Sequence, residues 1–206
     1  FELVKAVVNP TPDGNGWANV TGNVRIGLVT SIAVNPFDAA KVALGGQSGL
    51  AIGVPETAGV GGTWERRDQG ILATNAAEMS VASSGRIYIN TVYSGVHFLA
   101  NGSATTTPVD NAALQQLQPS FTQPHTLGLL SQSRGASDRL FVGMSTGYAR
   151  SEDSGVTWQP GSTTGLNNPG DVVVHFADSP GNRDLIVASK APGLYRSLNG
   201  ADTWTP

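Results

Sequence analysis

Short apolar clusters alternate with Gly-, Asn-, Ser- and Pro-rich stretches along nearly the whole chain. Ser31-Ile32-Ala33-Val34, Met79-Ser80-Val81-Ala82, Leu127-Gly128-Leu129-Leu130 and Val172-Val173-Val174-His175 have the length and flanks of strands, not helices. A second β-rich run follows each of them: Lys41-Val42-Ala43-Leu44, Arg86-Ile87-Tyr88-Ile89, Arg139-Leu140-Phe141-Val142 and Asp184-Leu185-Ile186-Val187. A third opens on a glycine: G-L-A-I at Gly49, G-V-H-F at Gly95, G-Y-A-R at Gly147 and G-L-Y-R at Gly193. Asn35-Pro36-Phe37-Asp38, Ser83-Ser84-Gly85 and Ser179-Pro180-Gly181-Asn182 supply the turn chemistry between them. Gly45-Gly46-Gln47-Ser48-Gly49 also reads as a hairpin turn, since it lacks the Lys and the helix of a phosphate cradle. Helical spacing is nearly confined to Asp110–Gln118, which predicts one or two turns inside a loop insertion.

The pattern is periodic. Trp17, Trp64, Trp158 and Trp204 are separated by 47, 94 and 46 residues, a beat of about 47 with one Trp missing. The glycines that open the third strands keep the same beat, except that the interval from Gly95 to Gly147 stretches from 46 to 52 around the insertion. Four short strands per period is one propeller blade. The chain therefore predicts an all-β fold, a β-propeller of four-stranded blades, about four of them here. It reads as a single unit over 1–206, with approximate repeats 1–22 (partial), 23–68, 69–122, 123–165 and 166–206. Beginning inside a blade without Met and stopping at Trp204-Thr205-Pro206, it is expected to be an excerpt of a propeller of six to eight blades. The remaining blades or a neighbouring subunit would then complete it. The alternative is a four-bladed ring in which Trp17-Ala18-Asn19-Val20 completes the blade ending at Trp204.

Composition narrows the function classes. The 26 glycines and 12 prolines among 206 residues suit many tight turns. No cysteine is present, which excludes a disulfide framework and thiolate chemistry. A net charge of −3 with 12 Lys+Arg leaves no electrostatic footprint for nucleic acid. No apolar run is long enough for a transmembrane helix, so no membrane insertion is expected.

Ahead of the tryptophans stands a recurring string. Ser151-Glu152-Asp153-Ser154-Gly155-Val156-Thr157-Trp158 is complete as S-x-D-x-G-x-T-W. Ser197-Leu198-Asn199-Gly200-Ala201-Asp202-Thr203-Trp204 keeps Ser197, Asn199, Thr203 and Trp204, with Ala in place of Gly. Thr57-Ala58-Gly59-Val60-Gly61-Gly62-Thr63-Trp64 keeps Gly61, Thr63 and Trp64, with Thr57 for Ser. Asp13-Gly14-Asn15-Gly16-Trp17 is a poorer copy, and the copy near Leu99–Thr106 has lost its Trp. These strings resemble the Asp-box, or bacterial neuraminidase repeat, of sialidase-like β-propellers. The resemblance covers nearly the whole chain and implies Asp-box hairpins between third and fourth strands, where the box is structural. In such a turn a carboxylate accepts backbone N–H groups while Gly supplies φ > 0.

The resemblance implies no catalysis here. Sialidases carry an F/Y-R-I-P string, and Arg25-Ile26-Gly27 and Arg86-Ile87-Tyr88 share only two letters with it. The opening Trp17-Ala18-Asn19-Val20 with Gly27, Ile32, Pro36 and Gly49 resembles xyloglucan-cleaving propeller hydrolases, which need two carboxylates. One should follow the second strand, where the repeats hold Gly46-Gln47, Thr91-Val92, Met144-Ser145 and Ser189-Lys190. His97, His125 and His175 have no metal-site spacing and read as strand-end or rim residues, so no cofactor or metal is expected. Glu78 and His175 fall on first strands, which line a propeller's channel; ordinary solvation in that channel is the expectation, and a channel-facing polar pair is the alternative. Arg66-Arg67-Asp68 reads as a solvated edge. The expectation is a non-catalytic scaffold or binding module, secreted, periplasmic or on a cell surface, presenting rim loops to a protein or glycan partner. Its candidate contact loop is Thr107–Pro124, with Asp110, Gln115, Gln118 and Phe121, and deleting it is expected to leave the blades folded. The alternative is a segment of a secreted glycoside hydrolase whose carboxylates lie outside this chain.

Overall fold

Strands of two to nine residues pair with their sequence neighbours before anything distant can. The computed structural model describes residues 4–6, 17–19, 23–35, 38, 40–55, 62–67, 69–70, 76–91, 94–120, 124–167, 173–179, 182–190 and 193–206. In chain order β1 (Val4–Ala6) pairs antiparallel with β2 (Trp17–Asn19). The first blade is β3 (Val29–Val34), β4 (Val42–Gly46), β5 (Gly49–Val54) and β6 (Thr63–Arg66). The second is β7 (Ala76–Val81), β8 (Ile87–Thr91), β9 (Gly95–Leu99) and β10 (Thr106–Pro108), followed by helix α1 (Asn111–Gln116). The third is β11 (Thr126–Arg134), β12 (Ser137–Met144), β13 (Gly147–Ser151) and β14 (Gln159–Pro160). The fourth is β15 (Val173–Ser179), β16 (Asn182–Lys190) and β17 (Gly193–Ser197), and its outer edge begins as a single bridge from Thr205 to Arg196.

Every sheet is an up-and-down meander, and the innermost strands β3, β7, β11 and β15 stand side by side in that order. This is the blade arrangement of a β-propeller. The second strands explain why: β4 is buried at all five positions, and β12 at its last five. A strand covered on both faces reads as continuously apolar instead of alternating, as Leu140-Phe141-Val142 does. The apolar side chains form one cluster per seam. Ala33, Ala43, Leu50, Met79 and Ile89 join the first two blades. Tyr88, Val96, Leu129, Leu140 and Trp158 join the second and third. Leu130, Phe141, Tyr148, Phe176 and Trp204 join the third and fourth. Each large side chain removed from water in this way contributes about 1.5–3 kcal/mol.

The glycine beat has a conformational cause. Gly95 and Gly147 take φ of 74° and 111° as the chain leaves the turn into the third strand. Each inner strand also carries one extra residue early in its length, between Val29 and Ser31, Ala76 and Glu78, Thr126 and Leu129, and Val173 and His175. Such a bulge re-aims the next side chain. In this fold it sets Ser31, Glu78 and His175 at matching places on their blades, with Gly128 in the corresponding place on the third.

Candidate functional site

The S-x-D-x-G-x-T-W turn of the third blade is held by its own side chains. Ser151 Oγ donates to Asp153 Oδ1 at 2.8 Å and accepts from Gly155 N at 2.9 Å. Asp153 accepts from Thr157 N at 2.8 Å and from Thr157 Oγ1 at 2.6 Å. Desolvation pushes the Asp153 pKa up, but the hydrogen bonds from Thr157, Ser151 and Val156 outweigh it and hold the group below its ordinary 3.8. The fourth blade repeats the scheme with an amide. Asn199 Oδ1 accepts from Ser197 Oγ at 2.9 Å and from Thr203 N at 3.0 Å, and its Nδ2 donates to Thr203 Oγ1 at 3.0 Å. In both turns the side-chain oxygens accept from donors of the turn itself. Trp64, Trp158 and Trp204 are buried. Thr63 is exposed at the start of β6, while Thr57, Gly61 and the copy over 13–16 lie outside the described residues.

Trp204 reports how one blade meets the next. Its Nε1 donates to Ser162 O at 3.1 Å, and its ring lies edge-on to Tyr148 at 5.9 Å. Tyr148 Oη donates to Ala201 O at 2.9 Å. Asp138 does the same work between the second and third blades. It is buried and accepts from Tyr88 Oη at 2.9 Å and Ser133 Oγ at 2.8 Å. Sequence reading missed this carboxylate. The available signal was Asp184, one repeat later at the same place on β16, which pairs with Arg134 at 2.7 Å.

On the inner strands the polar residues form a row, joined by Asn90 of the second strand β8. Ser80 Oγ lies 2.8 Å from Ser131 Oγ, and Asn90 Nδ2 donates to Leu127 O of β11 at 2.9 Å. Glu78 reaches furthest. One carboxylate oxygen accepts from Leu129 N on the third blade at 2.7 Å, and the other is 3.3 Å from His175 Nδ1 on the fourth. Burial raises the Glu78 pKa above its ordinary 4.5, with the His175 hydrogen bond, the Leu129 N–H and the His175 charge opposing it. His175 is exposed, so the pair faces solvent on one side. The two residues thus form the pair that is the alternative to separate solvation. Two groups alone do not complete a metal site, and among the described residues no cluster of three or more His, Asp or Glu occurs.

The other histidines differ from one another. His97 is buried within β9, not on a rim, and burial lowers its pKa below 6.5, the Ser94 backbone opposing. His125 is half-buried just before β11. Of the edge residues, Arg66 is exposed and donates to Ser48 O at 2.8 Å, whereas Arg67 is half-buried and donates to Ser103 O at 2.9 Å. At the ends of the second strands, where propeller hydrolases carry a carboxylate, the fourth blade has Lys190. Its ammonium is buried, donates to Asn167 O and stands 5.7 Å from the Tyr195 ring.

The candidate contact loop is more deeply built in than its sequence suggests. Asp110 caps α1, accepting from Ala113 N at 3.0 Å. Asn111 clips β9 from both sides, accepting from Val96 N at 2.9 Å and donating to Val96 O at 3.0 Å. Leu114 is fully buried in the seam between the second and third blades. The expectation that the loop can be deleted with the blades intact is therefore corrected: deletion removes a core side chain. Gln118 is buried and Gln115 half-buried, donating to Gln118 O at 3.2 Å. The outward face of the segment is Asp110, Ala112 and Gln116. Phe121 lies outside the described residues.

The fold and this inner row define a β-propeller segment, and solved structures agree. An ancestral GH74 enzyme superposes with a TM-score of 0.61 at 17% identity, over 87% of this chain and 24% of that one. The GH74 enzyme of Niastella koreensis gives 0.60 at 16% identity, over 87% of this chain and 29% of the other. The extracellular domain of a protein described as a hybrid two-component system of B. thetaiotaomicron gives 0.64 at 13% identity, over 93% and 26%. The chain thus spans about a quarter of each of these structures. No family model and no curated protein matches the chain. Among the described residues no helix is long and apolar enough to cross a membrane.

Proposed function

We propose that the chain is a non-catalytic propeller scaffold that presents loops to a protein or glycan partner in a secreted or surface-exposed assembly. The observation that carries this reading is the placement of carboxylates. Glycoside hydrolysis needs two of them, roughly 5–10 Å apart, free to face a sugar. The second-strand ends hold Gly46, Thr91, Met144 and Lys190; of the inner-strand carboxylates, Glu78 is tied to Leu129 N and His175, and Asp178 accepts from Gln132 Nε2 at 3.0 Å. The extracellular placement of the two-component-system domain among its structural neighbours supports the compartment.

The outward face of α1 is the contact surface that this reading favours. Ala112→Arg with Gln116→Arg changes that face and leaves Leu114 in place. The double variant is expected to keep the wild-type melting temperature and to lose the glycan or protein retained by the wild type on arrays and in pull-downs. Unchanged retention would remove α1 from the role. The second reading, a segment of a glycoside hydrolase, is favoured by the likeness to two GH74 enzymes. Release of reducing sugar from a β-glucan by the purified chain would support it over the scaffold.

A further inference from the structure

A groove with about 300 Å³ of free space lies between the first and second blades, at the end of the strands where Ala100–Ser103 turns. Its walls include Ala33, Ala43, Ile52, Val81, Ile87 and Leu99. Strand register explains it. Ala43 sits between Ala33 and Ile52 on its sheet. The same place on the second blade is Tyr88, between Ser80 and Phe98, and on the third Phe141, between Leu130 and Arg150. Tyr88 and Phe141 are fully buried in the seam with the blade that follows. Ala43 turns toward its own following blade but stops at one methyl group. The groove therefore includes the space that an aromatic ring fills in the next two seams.

Its mouth is polar. Lys41, Glu65 and Arg67 line it; Lys41 pairs with Asp38 at 3.5 Å and Arg67 with Glu65 at 2.6 Å. Arg67 Nη1 donates to Ser103 O and Nη2 to Glu65 Oε2, while its Nε is buried and donates to nothing. A desolvated guanidinium N–H without an acceptor favours the arrival of one, most of all an anionic oxygen. The size is at the lower end for small-molecule sites, which combine apolar walls with a few placed polar groups.

We propose that this groove binds a small aromatic carboxylate, its ring in the space left by Ala43 and its carboxylate against the Arg67 guanidinium. The inference does not depend on the scaffold reading, and its test leaves α1 unchanged. Phenylacetate and indole-3-acetate, titrated into the isotopically labelled chain, should shift the amides of Gly53, Gly85 and Gly102 saturably. Cyclohexylacetate and phenylacetamide should bind more weakly, one lacking the aromatic ring and the other the charge. Ala43→Phe, which places the ring of Phe141 in the first blade, should abolish the shifts at an unchanged or higher melting temperature. Ala43→Leu fills part of the same space and serves if the Phe variant does not fold. Arg67→Gln should weaken binding at least about tenfold, the loss of a charge-assisted hydrogen bond. Undiminished binding by the filled variant, no saturable shift with either aromatic acid, or shifts confined to residues elsewhere would overturn the proposal.

Discussion

Asp153 and Asn199 perform the same task one repeat apart, and the comparison predicts what each atom is worth. The amide oxygen of Asn199 accepts the same Ser and Thr donors as the Asp153 carboxylate, and only the Thr203 hydroxyl reverses its role. Asp153→Asn should therefore cost little, within about 0.5 kcal/mol. Asp153→Ala leaves Thr157 N and Ser151 Oγ without their acceptor and should cost about 1–2 kcal/mol in chemical denaturation. Acid should narrow the gap between wild type and Asp153→Ala. The folded-state pKa is held below 3.8, so the contribution is present above that value and is lost as pH falls through the lowered one. This geometry was legible in the string S-x-D-x-G-x-T-W, because every partner lies within four residues of Asp153.

Among the elements, α1 is where sequence and structure part. Its existence and N-cap follow from Asp110 and the spacing after it. Its burial does not, because Leu114 meets Leu129, Leu140 and Trp158 only after the second and third blades have come together. A segment that reads as an exposed insertion is thus a wedge in a seam. Leu114→Ala should cost about 2–5 kcal/mol by calorimetry, the range for emptying a leucine site that cannot collapse. A cost under about 0.5 kcal/mol would mean that the seam closes without it. The second strands show the opposite case. Leu140-Phe141-Val142 is apolar without alternation, and that alone signals cover on both faces.

Across the whole molecule the polar contacts run from blade to blade, and Glu78 links three of them. Its raised pKa means that the fold favours the protonated carboxyl. The stabilising contribution is complete below the ordinary 4.5 and is lost as pH rises through the raised value. Glu78→Gln keeps an oxygen for Leu129 N and carries no charge at any pH. Its melting temperature should match wild type below about pH 4 and exceed it increasingly toward neutrality. A difference that does not vary with pH would place the Glu78 titration outside the folding equilibrium. The surface ion pairs, Arg150 with Asp202 at 2.8 Å and Arg139 with Glu152 at 2.8 Å, are solvated and should each matter far less.

The order of strands, the blade period and the interior of the two described box turns were readable in the chain, since each depends on residues a few positions apart. What only the assembled blades decided is how residues some 50 or more positions apart face each other. Glu78 and His175, each just after a bulge in its inner strand, meet at 3.3 Å although they lie two blades apart. Asp138 is a buried acceptor because Tyr88 arrives from the preceding blade. Ala43 lines a groove at the register where Tyr88 and Phe141 fill the next two seams, so one missing ring is left as free space between packed sheets.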